Sequence, residues 1–587
     1  MEDLTLRYFD AEMRYLREAA KEFAAAHPDR AAEIGLMTPG SADASVERLF
    51  QGFSFSMGRL REKLDDDLPE LTEGLVSMLW PHYLRTIPSL SIVELAPAWQ
   101  EMKMTETLGA HFEVISQPVG TEGPRCRYRT TRDLPLQPLT LSHASLAMEP
   151  DGQHIIRLRF SCSLLANWQW VDLSCLSVYL NGDAPLACAL LLALTHQVRK
   201  CYLRLPGQVD RQPVTLHFKA EGLGELANLW ERGDAACCGY QQLLEYFTFR
   251  EKFMFVALCG LERVVLPATL AGFEVDIVLD SPFPSDFSFD TSHLRLHCVP
   301  VINLFSLDAK PLSICNQETD YLLQPLRQQA ACTEIYSVDS VTSSRRTHAQ
   351  VYTPFRTFRY HGGTLRRHLP ARYYHTRVKP GVTGLHETWL ILGGDGFEQE
   401  RQIAEETLTL SLTGTNGQLP RLALRSTVLN ATTQALPVPL NIHNLCPPTM
   451  PAYPPNRDRF HWRVLSHLGT HFLSMMDNAE VLRNTLALYD WTESEDNRRR
   501  LDAIVKVEHF RLQRFEKGLL LRGVDIEVTV ESPGFYGEGD IYLFGEVLNR
   551  FLALYADIHL FNRLTLIVQP SGKCLQWKEN HSQYIPG

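Results

Sequence analysis

The period of the apolar pattern changes once, sharply, between residues 80 and 90, and that change limits the fold more than any other feature. Upstream, Leu6, Phe9, Met13, Leu16, Ala20 and Phe23 step by 3-4-3-4-3, the seam of a packing helix. A second stripe starts near Ser45 and runs through Val46, Leu49, Phe53, Met57, Leu60 and Leu64. Three aspartates at 65–67 disfavour a helix C-terminus there, whereas Asp67 suits the N-cap of a third helix with Pro69 in its first turn and Glu70 at N3. That helix is expected over 68–80, through Trp80, and Pro81 ends it. After Tyr83 and Pro88 the stretch "SLSIVEL" alternates as a strand does. A helical arm therefore precedes a β-rich body.

Beyond the junction, strands are expected at "HFEVIS", "CRYRTT", "IIRLRFSC" and "LSVYLNGD", followed by one apolar helix, "PLACALLLALTHQVRK". A short aromatic helix, "GYQQLLEYFTF", opens another β-rich region with "KFMFVALCGL", "FEVDIVLD", "LRLHCVPVINLF", "TEIYSVDSV" and "ETLTLSLTGT". Residues 343–380, rich in Arg, His, Tyr and Gly, read as an exposed loop insertion, and "CPPTMPAYPPNRD" reads as a linker. Two helices, "FHWRVLSHLGTHFLSMM" and "NAEVLRNTLALYDW", then lead to "GVDIEVTVES" and "RLTLIVQP" flanking a last helix, "YLFGEVLNRFLALYADI". The expected fold class is mixed α/β (α+β) and multi-domain. The divisions are a helical arm at 1–88, a β-rich domain at 89–235, a second at 236–445, the linker at 446–458, and a C-terminal α+β domain at 459–587.

Composition narrows the function classes. A length of 587 residues exceeds one core, and the 45% hydrophobic content belongs to a folded chain. A net charge of −11 argues against a nucleic-acid coat. The opening has acidic residues where a signal peptide has basic ones, and no apolar run reaches the roughly 18–20 residues of a membrane helix. The thirteen cysteines lack any C-x-x-C pair, although Cys162, Cys175, Cys188 and Cys201 recur every 13 residues. Zinc ligands cluster two to four apart, so these cysteines read as free thiols in a reducing cytoplasm, without metal.

A search for chemistry yields little. His467 and His471 share a helix face, but a zincin places Glu beside the first His and here Leu468 stands. The basic run "HGGTLRRHLPARYYHTRVK" (361–379) interleaves Arg366, Arg367, Arg372, Arg377 and Lys379 with Tyr373 and Tyr374, a pattern that single-stranded nucleic acid or an acidic partner could use. "GFYGEGDIYLFG" lacks the order of a dinucleotide or phosphate loop and reads as the turn into the last helix. Asp339 and Ser340 in "SVDSV" have no histidine partner in sequence. No catalytic, cofactor-binding or metal-binding residue emerges.

Several stretches together resemble the TssF (also ImpG or VasA) family of type VI secretion baseplate subunits. They include "YFDAEMRYLREAAKEFAAAHP", "VERLFQGFSFSMGRLREKLDDDLPELTEGLVSMLWPHYLRTIPSLSIVEL" and "GYQQLLEYFTFREKFMF". "CVPVINLF", "EIYSVDSV", "SHLGTHFLSMMDNAEVLRNTLALYD" and "GEGDIYLFGEVLNRFLALYADIHLFNRL" follow in order, so the likeness spans the chain. The resemblance implies a cytoplasmic structural protein of a contractile injection machine, with no enzymatic activity and no cofactor. It implies a wedge with TssG and a second TssF copy, joined by TssK and TssE around the VgrG spike, with sheath subunits beyond.

On this reading Leu6, Phe9, Met13, Leu16, Phe23, Leu49, Phe53, Leu60, Trp80 and Tyr83 are the candidate partner-interface residues. A seam of six such side chains, at roughly 1.5–3 kcal/mol each, represents on the order of 10 kcal/mol for a partner helix before ordering costs. The competing readings are an internal helical subdomain, a hydrolase-like enzyme whose site is built from distant residues, and a nucleic-acid-binding protein using 361–379.

Overall fold

The computed structural model describes most of residues 81–580, with longer breaks at 344–350, 355–371, 395–405 and, apart from Val464, 456–475. Ahead of residue 81 it describes the helix over 48–57 and the single positions Met13, Leu16, Ala20 and Val76. The chain forms two compact units, residues 1–77 with 456–466 and residues 78–455 with 467–587.

In the smaller unit, the 48–57 helix buries Ser54 and half-buries Phe50 and Met57 along one stripe. Leu49, Phe53 and Phe55 point away from that stripe and are exposed.

The described part of the larger unit opens with a 3-10 turn, Pro81–Leu84, and passes into the strand Leu90–Pro97. The period-2 reading of this strand holds, yet both its faces are buried. Its polar residues are accommodated individually. Ser91 Oγ donates to the Cys446 carbonyl at 2.7 Å, and Glu94 meets Arg295 at 3.1 Å and His443 at 2.9 Å. The strand lies in a six-stranded sheet ordered Leu429–Ala431, Glu113–Pro118, Arg125–Thr130, Cys298–Ile302, Leu90–Pro97, Leu440–Asn444.

Two further sheets interleave distant sequence. In one, His154–Cys162 pairs with Gly272–Leu279; in the other, Cys175–Leu180 pairs with Phe255–Cys259. The boundary expected at residue 235 therefore does not separate two β domains, because antiparallel partners sit on both sides of it. The cysteine expectation is corrected at the same place: Cys175 and Cys259 are direct cross-strand neighbours and form a disulfide.

An eight-stranded sheet takes most of residues 305–415 around its own core of Val341, Leu390, Leu408, Leu410 and Leu412. Here the expected loop insertion at 343–380 is corrected at its described residues, while 344–350 and 355–371, with Arg366 and Arg367 of the basic run, lie outside them. Val351–Pro354 and Arg372–Pro380 are strands paired in parallel, and Arg372–Pro380 pairs antiparallel with His386–Gly394. Charged residues mask the strand in the sequence, but Arg372 turns inward to Glu406 (2.7 Å) and the Tyr352 hydroxyl (2.8 Å).

The helices of the larger unit include α1 (Ala184–His196), α2 (Cys238–Thr248), α3 (Ala479–Ala487), α4 (Glu495–Asp502) and α5 (Glu538–Ala553). The apolar run expected to be helical through Lys200 stops at His196, and Val198–Arg204 is a strand. Asn478 and Ser494 cap α3 and α4 through side-chain oxygens. The final sheet, Ile504–Glu516, Leu519–Glu531, Leu560–Gln569, Lys573–Gln576, contains one parallel pair, with α5 as its crossover. α5 packs on both α1 and α2. A Cβ at Gly539 would stand 2.0 Å from the Cys188 carbonyl oxygen, so the first turn of α5 meets α1 at a distance only glycine permits.

Candidate partner surfaces and the ionic core behind them

The proline-dense stretch after the six-stranded sheet is fastened rather than free. Leu90 N donates to Thr449 Oγ1 at 2.9 Å, Thr449 N donates to the Leu90 carbonyl, and Ile87 exchanges backbone bonds with Ala452. Tyr83 belongs to this same region. Its ring stands edge-on to Tyr489 (5.8 Å) and Trp491 (5.2 Å), and its hydroxyl donates to the Leu488 carbonyl at 2.5 Å. At 1% exposure Tyr83 is an anchor of the chain's own body, which corrects its expectation as a partner contact.

Among the described residues, several buried charges converge where α2 and the 3-10 turn after it meet α4 and α5. Gly537, at φ +123°, starts α5 in a conformation side chains rarely adopt, and Asp540 follows in the first turn. Asp540 is completely buried and accepts from Arg250, from Arg500 Nε at 3.1 Å and from Tyr536 N at 3.0 Å. Lys252, two residues after Arg250 and also buried, pairs with Glu245, whose Oε1 accepts from Leu229 N at 2.9 Å and Gln241 Nε2 at 3.0 Å. Burial pushes the Lys252 ammonium below its ordinary value, while Glu245 opposes the shift. Burial likewise pushes the Cys188 thiol up to about 12, which leaves it un-nucleophilic at neutral pH. Asp540 thus ties α5 both to α4 through Arg500 and to the 3-10 turn after α2 through Arg250, and Lys252 ties that turn back to α2 through Glu245.

None of these ionic residues stands out in the sequence. The available signal was "GEGD" at the head of an apolar helix: a glycine for the cap, a glycine for the close crossing and a carboxylate at the positive end of the helix. Asp339, an exposed position on the strand Glu334–Ser343, accepts from Ser337 Oγ and Thr413 Oγ1, each at 2.7 Å. Among the described residues no group of three or more His, Cys, Asp or Glu could hold a metal, and His467 and His471 lie outside them. Among the same residues no helix is long and apolar enough to cross a membrane.

Apart from Tyr83, the expected interface residues divide into three groups. Leu6, Phe9, Phe23, Leu60 and Trp80 lie outside the described residues. Met13 is buried and Leu16 half-buried within the smaller unit. Leu49 and Phe53 are 71% and 53% exposed, one turn apart on the outer side of the 48–57 helix. Two large apolar side chains one turn apart give this helix an apolar outer side besides its inward stripe.

Comparison with known proteins agrees along the whole length. The family model described as "Type VI secretion system, TssF" matches residues 1–584. The type VI secretion system component TssF1 of Pseudomonas aeruginosa is 25% identical, over 98% of each chain. A chain of the TssK-TssF-TssG baseplate subcomplex, solved by cryo-electron microscopy, is 58% identical, with 92% of this chain and all of that one covered and a TM-score of 0.83. A chain of a type VI baseplate complex is 55% identical, covering 99% of this chain and all of the other, with a TM-score of 0.71.

Proposed function

The chain belongs to the TssF family of the type VI secretion system, and on that premise we propose that it is a non-catalytic wedge subunit whose N-terminal helices dock onto TssG. In this reading the arm ahead of Met78 forms a shared helical bundle with TssG and a second copy of the chain. TssK and TssE join that wedge in the cytoplasm, wedges surround the VgrG spike, and the assembled baseplate receives the sheath. The similar chains of known structure come from baseplate complexes, one of them with TssK and TssG, which supports the choice of partners.

The observation that carries the proposal is the exposed pair Leu49 and Phe53. The 48–57 helix already has an inward stripe at Phe50, Ser54 and Met57, so its outer apolar residues are surplus to its own packing. Covering the pair is worth roughly 1.5–3 kcal/mol per side chain. Co-expression with the TssG of the same system, followed by size exclusion with mass determination, should give a stable complex. Leu49→Asp with Phe53→Asp should weaken it tenfold or more while the thermal melt of the isolated chain is unchanged, since both positions already face water. Normal TssG binding by that variant would remove this helix from the interface. Absence of a complex for the unaltered chain would overturn the proposal as a whole.

A further inference from the structure

On the β-rich body, far along the sequence from the arm, residues 163–173 ("SLLANWQWVDL") expose Leu164, Leu165 and Trp170 at 68%, 58% and 65%. Met104, at 43%, belongs to the neighbouring segment, because Asn167 N donates to the Lys103 carbonyl at 2.8 Å and Thr105 N to that of Trp170. Together they expose on the order of a few hundred Å² of apolar surface, the scale on which such patches are functional. We infer that this surface docks a segment of another baseplate subunit carrying apolar anchors flanked by lysine or arginine; the inference rests on the baseplate role proposed for the chain.

The patch is ordered before any partner arrives. Ala166, Val171 and Leu173 are buried beneath it. Ser163 Oγ donates to the Gln100 carbonyl at 2.9 Å, Trp170 N to the Asn167 carbonyl at 2.8 Å, and Asp172 N to Thr105 Oγ1 at 2.8 Å. A partner therefore need not supply the free energy of ordering this loop backbone, and an exposed tryptophan on an ordered loop is the residue type most often central to a binding hot spot.

Charge selects the occupant. The two segments carry Glu101, Glu106 and Asp172 against Lys103 alone. A second copy docking symmetrically would bring this acidic rim against itself, because a two-fold interface apposes the same patch on both subunits. A basic-flanked apolar segment satisfies both the rim and the centre.

The test uses the full chain in purified complex with TssG and TssK of the same system, with the photo-crosslinking residue p-benzoylphenylalanine replacing Leu165. A crosslinked peptide from TssG or TssK bearing apolar residues beside lysine or arginine is the expected result. Crosslinking only to a second copy, or to no subunit, overturns the inference. In parallel, Leu165→Asp with Trp170→Asp should weaken complex formation tenfold or more at an unchanged melting temperature. Met148→Asp, at a 70% exposed strand position, makes the same chemical change elsewhere and should leave binding as it was. Glu101→Lys with Asp172→Lys should weaken binding several-fold. If the unaltered chain forms no complex, the baseplate reading fails; if it does and every variant binds equally well, only this second surface fails.

Discussion

His297 shows how a single buried residue sets a pH limit. Its ring is enclosed, its backbone sits at φ +55°, and Nε2 accepts from Gln137 N at 3.3 Å, so the neutral ring carries its proton on Nδ1. Burial drives its pKa down to about 4, against an ordinary 6.5. Between those values the unfolded chain binds the proton and the folded chain does not, so stability is fully present above pH 6.5 and is lost as pH falls toward 4. The loss amounts to roughly 3 kcal/mol. His297→Asn, which tolerates the same backbone, should flatten urea midpoints across pH 7 to 4; an unchanged slope would place the acid sensitivity elsewhere. Asp540 matters through its ion pairs, as the fully buried carboxylate that two guanidiniums share. Asp540→Asn leaves the buried Arg250 and Arg500 guanidiniums facing an uncharged group and should cost about 3–5 kcal/mol. Arg500→Met keeps the Arg250–Asp540 pair and should cost less in the same denaturation assay.

Among elements, the strands were legible wherever one sequence run carried its own pattern, and illegible wherever a distant run completed it. "SLSIVEL", "IIRLRFSC" and "FEVDIVLD" have the β-branched, alternating composition of strands and are strands. Arg372–Pro380 does not look like one, because what makes Arg372 tolerable inside a sheet is Glu406, 34 residues on. Tyr83 looked like an interface residue because its hydrogen-bond acceptor lies 405 positions away. The Cys175–Cys259 bond is of the same kind, since only the pairing of their strands brings together cysteines 84 residues apart. Two of the thirteen cysteines are thereby used, so denatured, unreduced protein should titrate at most eleven thiols. In the chain-entropy model a loop of that size contributes about 4–5 kcal/mol, and Cys175→Ser with Cys259→Ser should lower the urea midpoint accordingly. A titration of thirteen would show that the bond does not form.

At the scale of the whole molecule, the N-terminal arm and the β body are proposed to separate assembly from folding. The sequence pattern puts the break at the prolines near 88, whereas the larger compact unit begins at Met78, because Tyr83 and Ile87 are already bound into it. The six-stranded sheet, the sheets on either side of residue 235 and the α2–α4–α5 ionic seam all lie within that unit. A chain starting at Met78 keeps each of these, and should melt cooperatively with a circular dichroism spectrum dominated by strand. Under the proposed function it should also lose TssG, because it lacks Leu49, Phe53 and the rest of the arm. Starting instead at Ser89 removes Tyr83 and Ile87 and leaves Trp491 and the Leu488 carbonyl without their packing and hydrogen-bond partners, which should cost several kcal/mol. The two truncations therefore discriminate. If the Met78 chain unfolds as readily as the Ser89 chain, residues ahead of 78 are part of the body's core and the arm is internal. If the Met78 chain folds yet still binds TssG, docking resides on the body, and the exposed helix face has another occupant.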